Sequence, residues 1–86
     1  MVTGVAELPG DGYLALHRHA QAETYYVLSG EGVVTLGGTD YRVRPGSSVF
    51  IPGSTEHGIR NTGSLTLRFF YALAADAFTD IEYVFS

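Results

Sequence analysis

The chain is predicted to be an all-β sandwich or barrel. Turn signals recur every seven to ten residues. The segments between them are filled with Val, Tyr, Phe, Leu and Thr, the residues that suit a pleated, half-buried surface. Helical composition is confined to one short stretch, Leu73 to Phe78.

The turns carry the first part of that prediction. Pro9-Gly10-Asp11-Gly12, Ser29-Gly30-Glu31-Gly32, Gly37-Gly38, Pro45-Gly46, Pro52-Gly53 and Asn61-Thr62-Gly63 all combine residues that tolerate positive φ or pre-set it. Strands are expected near 2–8, 13–18, 23–29, 32–37, 40–44, 47–51, 57–61, 65–73 and 80–85. Gly37-Gly38, between Val33-Val34-Thr35-Leu36 and Tyr41-Arg42-Val43, is a two-residue hairpin loop that needs φ > 0. The segment Leu65–Ala75 is mostly apolar and suits a strand covered on both faces, with Arg68 reaching a rim or a carboxylate.

Composition bounds the function. With 86 residues the chain holds one domain, residues 1–86. A domain of this size buries only about 60% of its unfolded surface, so its margin of stability is thin. It has no cysteine, hence neither a disulfide framework nor a thiolate metal site. Five basic against nine acidic residues give a net charge of -4, which argues against nucleic acid as a partner. No apolar run approaches the roughly 20 residues that span a bilayer, and no signal peptide is visible. The expectation is a cytoplasmic domain with no membrane partner. The low charge and the apolar tail suggest burial against a copy of itself.

The histidines carry the chemistry. His17 and His19 are spaced i, i+2 in a predicted strand, so both imidazoles leave the same face and Arg18 leaves the other. Glu23 follows after Ala20-Gln21-Ala22, and His57 lies in a later strand. Three neutral imidazoles and one carboxylate suit Mn, Fe, Co, Ni, Cu or Zn and are too nitrogen-rich for Ca or Mg. On strand parity, Tyr13 and Ala15 (with His17), Tyr25 and Val27 (with Glu23), and Ile59 and Asn61 (with His57) are the expected pocket walls. Tyr13 and Tyr25 are therefore the candidate acid–base residues, and Tyr26 points outward. Asn61 reads as a turn former whose amide closes the loop into Gly63. Arg42, Arg44 and Arg60 read as solvated strand positions.

This spacing resembles the first motif of the cupin superfamily: Gly, five residues, His-x-His, three or four residues, Glu, six residues, Gly. His17, His19, Glu23 and Gly30 fit it. Gly46, Pro52, His57 and Asn61 fit the second motif: Gly, five residues, Pro-x-Gly, two residues, His, three residues, Asn. The fifteen residues between Gly30 and Gly46 are the short form found in small single-domain cupins. Two departures stand out. Four residues, not five, separate Gly12 from His17, and Ser54 replaces the internal glycine of the second motif, with Gly53 placed to supply the positive φ one position early.

The resemblance implies a jelly-roll β-barrel, a double-stranded β-helix, dimeric in most of the family. It implies one divalent transition metal held by His17, His19, Glu23 and His57. It also implies a metal-dependent enzyme on a small polar molecule, of oxygenase, isomerase, lyase (including β-elimination) or cyclase type. The alternatives are a non-catalytic ligand-binding or sensor module and a storage cupin with a vestigial site. The expected assembly is a homodimer in which residues 65–85 and the first strand meet the partner.

Overall fold

The computed structural model describes residues 1–86. Nine strands follow one another: β1 Val2–Leu8, β2 Tyr13–Arg18, β3 Glu23–Ser29, β4 Gly32–Leu36, β5 Thr39–Val43, β6 Ser48–Ile51, β7 His57–Asn61, β8 Leu67–Leu73 and β9 Val84–Phe85. They form two antiparallel sheets, ordered β1-β8-β3-β6 and β5-β4-β7-β2-β9. No helix is long and apolar enough to cross a membrane.

The two sheets face each other because alternation puts one apolar row of each strand inward. Tyr25, Val27, Ile51, Leu67 and Phe69 come from the four-stranded sheet, and Val34, Val43 and Ile59 from the other. Full burial of each such side chain contributes roughly 1.5–3 kcal/mol. The Gly37-Gly38 hairpin is as expected: Leu36 pairs with Thr39, and the two glycines have φ of 55° and 83°. Asn61 also behaves as expected and does more. Its Oδ1 accepts from the Gly63 N–H at 2.8 Å, while its Nδ2 donates to the carbonyls of Leu8, Pro9 and Leu65. One buried amide thus ties three chain segments together at the end of the barrel. Arg68 reaches the carboxylate of Glu7 on the neighbouring strand, at 3.9 Å.

The C-terminal stretch departs from expectation. No helical turn forms over 73–78; a single 3₁₀ turn lies at Phe78–Asp80 instead. Asp80 closes it, its carboxylate accepting the Ala77 N–H at 3.1 Å. The strand expected over 80–85 shrinks to Val84–Phe85, which pairs with β2 of the same chain. Ile81 is buried with Val2 and Leu73. Residues 74–86 therefore form a strap from the end of one sheet to the edge of the other. The tail aromatics make contacts within the chain, yet Phe78, Tyr83 and Phe85 each keep a large exposed surface. A further exposed apolar group lies on the outer face of the four-stranded sheet, where Val5, Phe70 and Tyr26 stand in one row of the register.

Candidate metal centre

Both sheets contribute to the site. His17 and His57 stand opposite one another in register on β2 and β7. His19 sits just past the end of β2, and Glu23 opens β3 in the other sheet. All four are buried, His57 completely. The ring centroids of His17 and His57 are 4.3 Å apart, those of His19 and His57 4.9 Å.

Second contacts fix the orientation of every ring. Nδ1–H of His17 donates to the Ala15 carbonyl at 2.7 Å, that of His19 to Gln21 at 2.9 Å, and that of His57 to Thr55 at 2.8 Å. A carbonyl can only accept, so the proton of each neutral ring is on Nδ1 and the lone pair is on Nε2. One ligand atom from each ring lies within 4.8 Å of the others. Glu23 Oε1 lies 3.2 Å from His19 Nε2 and 3.3 Å from His57 Nε2. Despite that contact, His57 Nε2 is buried without a hydrogen bond.

This arrangement is electrostatically unbalanced as it stands. Three nitrogen lone pairs and a carboxylate converge on one point in a low-dielectric interior, where such groups repel unless a proton or a cation lies between them. Protonation is opposed at His17, whose pKa is lowered, chiefly by burial and further by the neighbouring His57 and His19. The residues present therefore fit a divalent cation, and the backbone acceptors on Nδ1 are the second shell such a site requires.

A cavity of about 300 Å3 opens from the centre. Its walls include Tyr25, Phe69 and Tyr71 from the four-stranded sheet, Leu14 and Ala15 from β2, and Phe78, Tyr83 and Phe85 from the strap. The rings of Tyr83 and Phe85 each lie 5.7 Å from that of His17. No arginine lines this cavity. Burial and the nearby Glu23 carboxylate push the Tyr25 phenol well above its ordinary range, and Tyr83 moves in the same direction for the same reasons.

Of the two candidate tyrosines, only Tyr25 lines the cavity. Tyr13 is 67% exposed and pairs with Arg60 on the outer face. The cause is a bulge: Leu14 pairs with Ile59 and His17 with His57, so β2 spends three steps where β7 spends two. One extra residue inverts the parity, and Leu14 takes the inward position. Ser54 gives a second correction. It adopts φ 63° itself, and Gly53 does not supply the positive angle. Gly53 is required for a different reason: a Cβ there would collide with the Ala20 carbonyl. The Ser54 N–H then donates to the His19 carbonyl at 2.7 Å, holding the ligand loop in place. The strap aromatics form a pocket wall that strand parity does not predict. The i, i+2 run of Leu67, Phe69, Tyr71 and Leu73 was a readable signal for the β8 wall, whereas nothing local marks the strap.

A two-sheet β-barrel with a buried three-histidine cluster and an adjoining glutamate defines a class of metal-capable jelly rolls. The profile of the cupin domain matches residues 4–73, and the chain belongs to the cupin family. It is 42% identical over all of its 86 residues to the Dimethylsulfoniopropionate lyase DddW of Ruegeria pomeroyi, covering 56% of that protein. It is 38% identical over 64 residues, 73% of this chain, to an oxalate-binding protein of Thermotoga maritima, covering 53% of it. The structure of a cupin-2 domain from Rhodospirillum rubrum superposes with a TM-score of 0.87 at 25% identity, over 98% of this chain and 55% of that one. The chain spans about half the length of the curated relatives it matches.

Proposed function

We propose that this domain is a metal-dependent lyase that eliminates a neutral sulfide from a small carboxylic acid bearing a sulfonium group. The observation that carries the reading is the cavity: aromatic walls, no arginine, and His17 and Glu23 of the candidate ligand set in its lining. An onium cation is attracted to aromatic faces, by about 0.5–1 kcal/mol when exposed and about 2 or more when desolvated. A carboxylate at the other end of the same molecule suits a cationic centre. The identity to a dimethylsulfoniopropionate lyase over the whole chain supports the same substrate class.

In this reading His17, His19, Glu23 and His57 hold one divalent ion drawn from Mn, Fe, Ni, Co, Cu or Zn. When bound, such an ion offsets the negative charge that develops on the substrate carboxylate. Tyr25, after losing its own phenol proton to solvent, takes as the phenolate the proton from the carbon next to the carboxylate. The C–H electron pair becomes the new C=C bond, and the C–S pair leaves with sulfur as a neutral sulfide. The products are an α,β-unsaturated carboxylate, the sulfide and one proton. The phenol of Tyr25 starts above its ordinary value because of burial and Glu23. A divalent ion held by the four ligands would oppose the Glu23 contribution to that shift. Phe78, Tyr83 and Phe85 exclude water from the onium end.

The test is direct. Protein loaded with each metal in turn is incubated with dimethylsulfoniopropionate, and headspace dimethyl sulfide and dissolved acrylate are measured. Equal amounts of both products are expected, with a loss of about 10²–10⁴-fold in Tyr25→Phe at unchanged metal content. Absence of both products with every metal refutes the reading. A second reading, retention of a small acid without turnover, draws on the oxalate-binding relative. It requires that oxalate raise the melting temperature of the loaded protein while no substrate is consumed.

A further inference from the structure

We infer that the outer face of the five-stranded sheet carries a separate binding site for a phosphate-type dianion, built on Arg42 and Arg44. The strand register makes the site. Val33 pairs with Arg42 on one side and with Arg60 on the other, so the two arginines flank it in one row. Arg44 follows directly after β5 and Thr62 directly after β7, and both line the same groove as Arg42 and Arg60. His57, Ile59 and Asn61 alternate with Arg60 and are buried, which places this face opposite the histidine cavity. Together these side chains line an open groove of about 770 Å3, with Ser47 and Glu31 completing it.

The distribution of charge singles the groove out. All five cationic residues of this acidic chain are arginines, and three of them meet here. Arg18, Arg60 and Arg68 hold the carboxylates of Glu56, Asp40 and Glu7 at 3.4, 3.2 and 3.9 Å. Arg42 and Arg44 form no ion pair, although nine carboxylates are available in the chain. Two like charges at i, i+2 on one face repel unless an anion lies between them.

A guanidinium presents a planar fork that matches two oxygens of one oxyanion, so a pair of forks selects a multivalent anion over chloride. Ser47 Oγ accepts the Arg44 N–H at 3.0 Å, which leaves its own hydroxyl free to donate. Glu31 is the one carboxylate among the lining residues. It disfavours a fully deprotonated ligand and accepts from an anion that keeps an O–H. Monohydrogen phosphate has both features, a double negative charge and one remaining proton.

Amide NMR shifts of the full chain loaded with zinc, titrated with inorganic phosphate at constant ionic strength, test the site. Saturable shifts centred on Val33, Val43 and Thr62 are expected. The double variant Arg42→Gln/Arg44→Gln is expected to weaken binding at least tenfold while its melting temperature stays unchanged. Arg68→Gln, which removes one charge elsewhere on the surface, is expected to bind as the parent does. Three results overturn the assignment: no saturable shift, shifts centred on His17 and His57, or an equal loss in Arg68→Gln.

Discussion

Glu23→Gln separates a metal ligand from a structural carboxylate, because the two roles predict opposite signs in the absence of metal. At pH 8 the imidazoles are neutral, and their Nε2 lone pairs face Glu23 Oε1 at 3.2 and 3.3 Å. Glutamine has the same shape, but its amide can donate to His19 or His57. One net hydrogen bond contributes about 1 kcal/mol. The metal-free variant is therefore expected to melt roughly 4–8 °C higher than the parent. With metal the sign reverses. A four-ligand zinc site is worth about 10–16 kcal/mol, so one ligand carries about 3 kcal/mol. That is about a hundredfold in affinity, since each 1.4 kcal/mol is tenfold. At saturating metal a hundredfold loss removes about 2.7 kcal/mol of stabilisation. Set against the hydrogen bond gained, the loaded variant ends up about 1.7 kcal/mol less stable, or roughly 7–14 °C lower in melting temperature. Paired thermal melts in zinc and in chelator, with chelator competition for the affinity, read all three quantities. If the metal-free variant is destabilised as much as the loaded one, Glu23 is a structural partner of a protonated histidine and the metal assignment fails.

Three further outcomes follow from the same geometry. The His17 pKa is lowered by burial. The unfolded chain therefore binds more protons between that lowered value and about 6.5. This contribution to stability is fully present above about pH 6.5 and is lost as pH falls toward the folded value; a metal-free melting temperature that stays flat from pH 8 to pH 5 contradicts it. Gly53→Ala places a methyl group on the Ala20 carbonyl beside His19. A cost of about 1–3 kcal/mol is expected with at least a tenfold weaker metal affinity, and a variant that binds metal as the parent does shows that this contact does not position His19. Finally, the row of Val5, Phe70 and Tyr26, exposed by 47, 38 and 45%, is expected to be covered by a second copy about a two-fold axis. Sedimentation equilibrium reads it directly, and a 9.3 kDa species at micromolar concentration excludes the dimer.

The strands were legible because alternation and turn residues agree over most of the chain. β1, β2, β3 and β7 fall where the apolar runs and glycine signals place them. His17 and His19 were legible as a pair because positions two residues apart on a strand share a face, and His57 through its spacing from Gly46, Pro52 and Asn61. Tyr13 was misplaced for the converse reason. Parity holds only along an unbroken ladder, and the extra residue between Leu14 and His17 has no side-chain signature. Ser54 shows how a backbone angle can keep its place while the residue type changes: serine tolerates the left-handed region at a cost, and the hydrogen bond to His19 compensates. The strap was unreadable from local pattern because its conformation is set by distant contacts, Ile81 on Val2 and Leu73, and Val84 on Arg18.

The origin of the cavity walls has an evolutionary consequence. The candidate ligands lie on β2, β3, β7 and the loop after β2, locked by backbone carbonyls and by the opposing sheet. Phe78, Tyr83 and Phe85 come from one late stretch of chain that touches the ligand strands through a two-residue ladder and ring contacts. Part of the cavity wall is thus separable from the strands that hold the candidate ligands. Substitutions in the strap can redraw one wall of the cavity while the candidate ligands keep their backbone supports. A scaffold divided in this way can change the shape of its cavity by exchanging about a dozen residues, without rebuilding the histidine cluster.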